Sequence, residues 1–127
     1  MVGIVVVSHS AELANGLRAL AAQMAGPDVA IEAAGGAGDR LGTDEATVRA
    51  AIGRAGRDGD GVVVLGDLGS SILTVRAVLD EDPHDDVCLV DAPFVEGAVT
   101  AAVAAGAGAT LAEVVQAAQE ARGVAKL

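Results

Sequence analysis

The sequence predicts an α/β domain: a doubly wound, mainly parallel four-stranded sheet in the order 2-1-3-4, with helices on both faces. Four short apolar runs, at residues 2–7, 29–34, 61–65 and 87–90, are rich in valine and isoleucine. Near-continuous runs of this kind suit strands covered on both faces, not the alternating strands of a half-wetted sheet. Each run precedes a longer segment of helical pattern, and strands that alternate with helices argue for parallel pairing through crossover helices. Short connections and right-handed crossovers leave few arrangements, of which 2-1-3-4 is the simplest doubly wound one.

Taken in order, the first strand (2–7) ends at the polar turn Ser8-His9-Ser10. A helix over about 11–24 follows, with Ser10 as N-cap, Glu12 in the first turn, and Leu13, Leu17, Leu20 and Met24 on one face. Gly26-Pro27 stops it. After the second strand (29–34), Gly35-Gly36-Ala37-Gly38-Asp39-Arg40 reads as a flexible loop at the sheet's carboxyl edge, where loops often close over a site. Thr43 or Asp44 caps a second helix to about residue 55, with Val48 and Ile52 inward. The third strand (61–65) leads to a third helix, opened by Ser70 or Ser71 and running to residue 79. A fourth strand (87–90) and helices over about 95–105 and 111–122 complete the chain.

A length of 127 residues matches one domain, 1–127, able to bury roughly two thirds of its unfolded surface. Apolar residues make up 52% of the chain, but Phe94 is the only aromatic, so the core must be built from closely packed small side chains. Eight basic against eighteen acidic residues give a net charge of −10, which repels phosphate backbones and anionic lipid surfaces. The lack of rings for base stacking also argues against nucleic acid. Cys88 stands alone in the run 87–90, which excludes an intramolecular disulfide and reads as a buried, inert thiol in a reducing compartment. No basic segment precedes the first apolar run, and the longest uncharged stretch, 97–112, is shorter than the roughly 20 residues of a membrane span. The expectation is a cytoplasmic protein with no membrane insertion.

In the order 2-1-3-4 the chain leaves strands one and three toward opposite faces, and the crevice at their carboxyl ends is where ligands of such sheets bind. His9 ends the first strand there and Asp67 ends the third. The other histidine, His84, lies in the acidic segment Asp82-Pro83-His84-Asp85-Asp86, a solvated loop. A carboxylate beside a histidine can accept one ring N–H, fix the tautomer and leave the other nitrogen as nucleophile or base. Gly69, Ser70 and Ser71, at the start of the third helix, offer amides and hydroxyls to an anion, and Gly42-Thr43-Asp44 opens a second helix nearby.

These parts fit a phosphoryl group on His9, with Ser10, Gly42, Thr43, Gly69, Ser70 and Ser71 as the phosphoryl-binding set. Imidazole is a good nucleophile near neutral pH, and its P–N bond is readily attacked by a second acceptor. The transfer asks mainly for positioning and charge stabilisation. The same residues also fit plainer roles: Asp67, Ser70 and Ser71 as helix caps, the glycines as turns, and His9 as an ordinary turn residue. Other chemistries lack their motifs. Gly36-Ala37-Gly38 follows the second strand and lacks the third glycine of a dinucleotide fingerprint, and no Walker loop surrounds the only lysine, Lys126. The acids and late lysine of a phospho-aspartate receiver are missing, as is a hydrolase serine elbow. No His or Cys cluster has metal-ligand spacing, so neither metal nor cofactor is expected.

Four segments, Val5-Val6-Val7-Ser8-His9-Ser10, Gly42-Thr43-Asp44, Asp67-Leu68-Gly69-Ser70-Ser71 and Ala92-Pro93-Phe94-Val95-Glu96-Gly97, together resemble the mannose-type enzyme IIA family of the bacterial phosphoenolpyruvate (PEP)-dependent phosphotransferase system. More narrowly, they resemble the phosphoryl-donor subunits of PEP-dependent dihydroxyacetone kinase, over nearly the whole chain. The resemblance implies that His9 receives a phosphoryl group from phospho-HPr, the phosphorylated histidine-containing carrier protein. It further implies that His9 passes the group to ADP on the nucleotide-binding dihydroxyacetone kinase subunit, regenerating ATP in place. Asp67 matches the residue near the family's active histidine. A homodimer is also implied. Larger members carry further carrier-protein and enzyme I-like domains, expected here as separate proteins because the sequence ends at Leu127. Two other readings remain: a sugar-transporter enzyme IIA that hands the group to a histidine of an enzyme IIB, and a flavodoxin-like small-molecule sensor without phosphoryl chemistry, for which His9→Ala would be silent.

Overall fold

A computed structural model describes residues 1–38 and 40–127; Asp39, part of the predicted 35–40 loop, lies outside the described residues. The elements run β1 (Gly3–Ser8), α1 (Ala11–Ala25), β2 (Ile31–Gly35), α2 (Glu45–Ala55), β3 (Val62–Gly66), α3 (Gly69–Glu81), β4 (Val87–Leu89), α4 (Phe94–Gly106) and α5 (Leu111–Glu120), with a short 3₁₀ turn at Ala121–Gly123. All strand pairs are parallel and the order is β2-β1-β3-β4, as the alternation of apolar runs and helices predicts.

Successive side chains of a strand point to opposite faces, and both faces are covered. Ile4 and Val6 pack under α1, α4 and α5 with Leu17, Ala21, Ala98, Ala101, Ala105 and Val114. Val5, Val7 and Val64 pack on the other face under α2 and α3 with Val48, Ala51, Ile52, Val75 and Val78. Alanine dominates the first layer, so α1 and α4 can lie close to the sheet and to each other. Each fully buried valine contributes about 1.5–3 kcal/mol.

Ser10 and Asp44 cap α1 and α2, accepting from the amides of Leu13 and Thr47, and Thr110 forms a capping box with Glu113 on α5. Helix α3 differs from its sequence reading. It opens at Gly69 behind Leu68 with no side-chain cap, because Ser71 turns its hydroxyl toward Asp67 instead of a helix amide, and it runs on to Glu81.

Of the predicted α1 stripe, only Leu17 is buried, flanked by Ala14 and Ala21; Leu13, Leu20 and Met24 are exposed. The small alanines form the contact because they let the helix approach the sheet. Cys88 is half-buried, not buried as expected, since β4 is a three-residue edge strand. The described part of the glycine-rich loop is organised: Gly36 N–H donates to Ser8 O (3.3 Å), and Ala37 and Arg40 exchange backbone hydrogen bonds. Gly35 admits the start of α1, since a Cβ there would lie 2.6 Å from Ser10 O. No helix among the described residues is long and apolar enough to cross a membrane.

Candidate active site at the switch point of the sheet

Sheet register assembles the site. Val7 pairs with Gly66, and one step further the Asp67 amide donates to Val7 O (3.1 Å), so the carboxyl ends of β1 and β3 deliver His9 and Asp67 side by side. His9 Nδ1 lies 3.1 Å from Asp67 Oδ1, and the His9 amide donates to Asp67 Oδ2 (3.2 Å). Three more donors converge on the same carboxylate: Ser8 Oγ on Oδ2 (2.7 Å), and Ser71 Oγ (2.6 Å) and the Leu68 amide (2.7 Å) on Oδ1.

Burial by itself would raise the Asp67 pKa, but the Ser71 and Ser8 hydroxyls and the Leu68 and His9 amides favour the anion and together bring it from 3.8 to about 2. An ionised carboxylate only accepts hydrogen bonds, so Nδ1 facing it carries the proton. In the neutral ring the second nitrogen then keeps its lone pair. Nε2 meets the Ser70 hydroxyl, which donates to it. The Asp67 side chain is 11% exposed and that of His9 24%, so the carboxylate lies beneath the ring and the ring edge reaches the surface.

Nε2 thus faces the first turn of α3. The Gly69 and Ser70 amides find no acceptor among the described residues, and the helix has no side-chain cap. Such amides, at the positive end of a 13-residue helix, favour an anion. The arrangement offers an oriented nucleophile facing a set of donors, which suits reversible acceptance of a phosphoryl group.

The other predicted residues fall around this centre. Ser10 caps α1, and its amide donates to Ser8 Oγ (3.0 Å). The Gly42 amide donates to His9 O (2.8 Å), so the loop after β2 reaches the site although β2 is one place further from the crevice. Thr43 turns its hydroxyl to Thr74 (2.6 Å), not to the ring. Ser71 is fully buried and touches both Asp67 and His9 Nδ1 (3.0 Å). Capping by Asp67, Ser70 or Ser71 does not occur.

Sequence reasoning missed Ser8 and Thr74. Ser8 is fully buried and holds Asp67, and a lone hydroxyl closing an all-apolar strand was a usable signal. Thr74 donates to Ser70 O (3.1 Å) from one turn along α3, a spacing visible in the sequence once Ser70 is singled out. Among the described residues, no group of three or more His, Cys, Asp or Glu is placed to hold a metal ion.

Fold and site together define a parallel α/β domain that presents a carboxylate-held histidine at its switch point. The chain belongs to the family described as PTS system fructose IIA component, EIIA-man, whose family model matches residues 3–115 and so includes each residue of the site. The phosphoryl donor subunit DhaM of PEP-dependent dihydroxyacetone kinase from Providencia stuartii is 40% identical over 128 residues, which is 95% of this chain and 27% of that protein. The phosphoryl donor subunit DhaM of PEP-dependent dihydroxyacetone kinase 2 from Listeria innocua is 38% identical over 107 residues, 81% of this chain and 85% of that protein. The chain therefore spans about a quarter of the Providencia relative and most of the Listeria one. Among solved structures, a protein of unknown function superposes with a TM-score of 0.82 at 34% identity, covering 94% of this chain and 93% of its own. The phosphotransferase system component EIIA from Streptococcus agalactiae shares the fold, with a TM-score of 0.71 at 18% identity, 99% coverage of this chain and 97% of its own.

Proposed function

We propose that this chain is a phosphohistidine carrier that takes a phosphoryl group from phospho-HPr on His9 Nε2. It then delivers the group to ADP held by the nucleotide-binding subunit of a dihydroxyacetone kinase. The observation that carries the reading is the ring itself, with Nδ1 on an ionised Asp67 and Nε2 facing the uncapped start of α3. The relatives named as phosphoryl donor subunits of PEP-dependent dihydroxyacetone kinase support this acceptor over an enzyme IIB.

In the first half-reaction the Nε2 lone pair attacks phosphorus in line, the donor's P–N bond breaks, and its electron pair returns to the donor imidazole. The His9 ring becomes cationic, because Nδ1 keeps its proton while Nε2 bonds phosphorus. Asp67, ionised beneath it, balances that charge. The Gly69 and Ser70 amides and the Ser70 hydroxyl receive the phosphoryl oxygens, and each well-placed donor is worth about 3 kcal/mol in sites of this type. In the second half-reaction a β-phosphate oxygen of ADP attacks the same phosphorus, the Nε2–P bond breaks, and ATP forms while the lone pair returns to Nε2. Positioning and charge carry both steps.

The same reading places the protein in the cytoplasm, where HPr and ADP are found, and pairs it as a homodimer, which its Ala- and Gly-rich helices allow through close contact. Incubation with PEP, enzyme I and HPr, followed by intact-mass measurement, tests the first half: one acid-labile phosphoryl group is expected on His9. Adding the ADP-loaded kinase subunits should then discharge the label into ATP. A label that persists with ADP but is discharged by an enzyme IIB would reassign the acceptor.

A further inference from the structure

The loop between β2 and α2 reaches both the His9 main chain and helix α3. Gly42 donates its amide to His9 O at 2.8 Å, in a backbone conformation (φ +134°) that side-chain-bearing residues rarely adopt. The next residue, Thr43, meets Thr74 on α3 through their hydroxyls at 2.6 Å, and Thr74 Oγ1 donates to Ser70 O at 3.1 Å. A hydroxyl has one proton to give. With the Thr74 proton on Ser70 O, Thr43 is the donor to Thr74, and the chain runs in one direction from the loop to the residue that touches Nε2.

We infer that Thr43 and Thr74 are positioning residues that set the gap between His9 Nε2 and the first turn of α3. The inference rests on the reading that His9 carries the phosphoryl group. Two arms hold the ring. Asp67 with Ser8 and Ser71 fixes the Nδ1 side from below and decides the tautomer. Gly42, Thr43 and Thr74 fix the Nε2 side from the loop, tying the His9 main chain to the helix turn that presents Ser70. Neither threonine touches the ring, so they act through Ser70. Thr43 and Thr74 are both half-buried, which shelters the bond between them from water.

Thr74→Val and Thr43→Val keep side-chain shape and remove the hydroxyl. In single-turnover phosphorylation by phospho-HPr, each should slow transfer about tenfold at saturating donor and leave half-saturation unchanged. The double variant should be no slower than either single one, because both break the same chain. Thr74→Ser should restore the rate, which a purely steric role for the threonine methyl would not allow. The ¹⁵N resonance of His9 Nε2 in the unphosphorylated protein should move in both valine variants and stay in place in Thr74→Ser. Wild-type transfer rates with an unmoved Nε2 resonance, or losses that add in the double variant, would overturn the inference. If the wild-type chain accepts no phosphoryl group from phospho-HPr, the proposed function falls, while the Nε2 resonance still decides whether Thr43 and Thr74 position the ring against α3. Thr43→Val, in a loop, serves if Thr74→Val fails to fold.

Discussion

Among the described residues two histidine–aspartate pairs have nearly equal length, 3.1 Å for His9–Asp67 and 3.2 Å for His84–Asp82, and their surroundings differ. Asp82 and His84 are more than half exposed on the segment after α3, two residues apart, and water screens their attraction. Asp67 is nearly buried, comes from a different strand, and accepts from two hydroxyls and two amides besides the ring. Distance alone therefore does not distinguish the two pairs. What differs is the set of donors that keeps Asp67 ionised in a sheltered place, and the helix start that the opposite ring nitrogen faces.

Substitutions can break this contrast. The largest effect is expected at His9: His9→Ala should abolish phosphoryl uptake by mass measurement, whereas His84→Ala should accept the group at the wild-type rate. Uptake by His9→Ala at an undiminished rate would move the chemistry elsewhere. Next comes Asp67→Asn, which preserves shape but lets the side chain present an N–H to Nδ1 and so favours the wrong tautomer. By comparison with carboxylate–histidine pairs in hydrolases, a rate loss of roughly 10⁴-fold is expected in single-turnover transfer. Asp82→Asn should leave that rate and the denaturation midpoint unchanged.

Acid sharpens the contrast more gently. Asp67 has a lowered folded pKa, so its contribution to stability is fully present above the unfolded value near 3.8 and is lost as pH falls toward about 2. The contribution is about 2 kcal/mol. Urea denaturation across that window should show the slope in the wild-type chain and a shallower one in Asp67→Asn; parallel slopes would contradict the origin assigned to it. The smallest effect is expected for Ser71→Ala, which removes the 2.6 Å donor and should cost about 1–2 kcal/mol of stability. It should also raise the pH at which the Asp67 contribution disappears.

Most of the architecture was legible because parallel strands buried on both faces leave a strong imprint, and residues 2–7 and 61–65 have little other use for so many valines. His9 and Asp67 were legible as a pair because strand order follows from connection rules and puts their strand ends together. The helix starts were half legible. Ser10 and Asp44 cap as their types predict, while Ser71, of the same type, gives its hydroxyl to Asp67, a competitor 4 residues away. Leu13, Leu20 and Met24 show a second limit. Helical spacing marks an apolar face but not which edge of it touches the sheet, and small Ala14 and Ala21 took that place. The pairings of Ser8 with Asp67 and of Thr74 with Thr43 join side chains far apart in the chain, and such pairings depend on distances that sequence does not carry, even where the residue types themselves left a signal.

His9 and Asp67 are 58 positions apart, joined only by the alignment of β1 with β3. A one-residue slip of that alignment would turn every side chain of the strand over and part the pair. Long-range strand pairing is the slow, entropically costly part of folding. The His9–Asp67 pair is therefore absent from any partly folded chain with β1 and β3 still separate, and, on the proposed function, recovery of phosphoryl uptake during refolding should lag behind helix formation and report the moment the sheet closes.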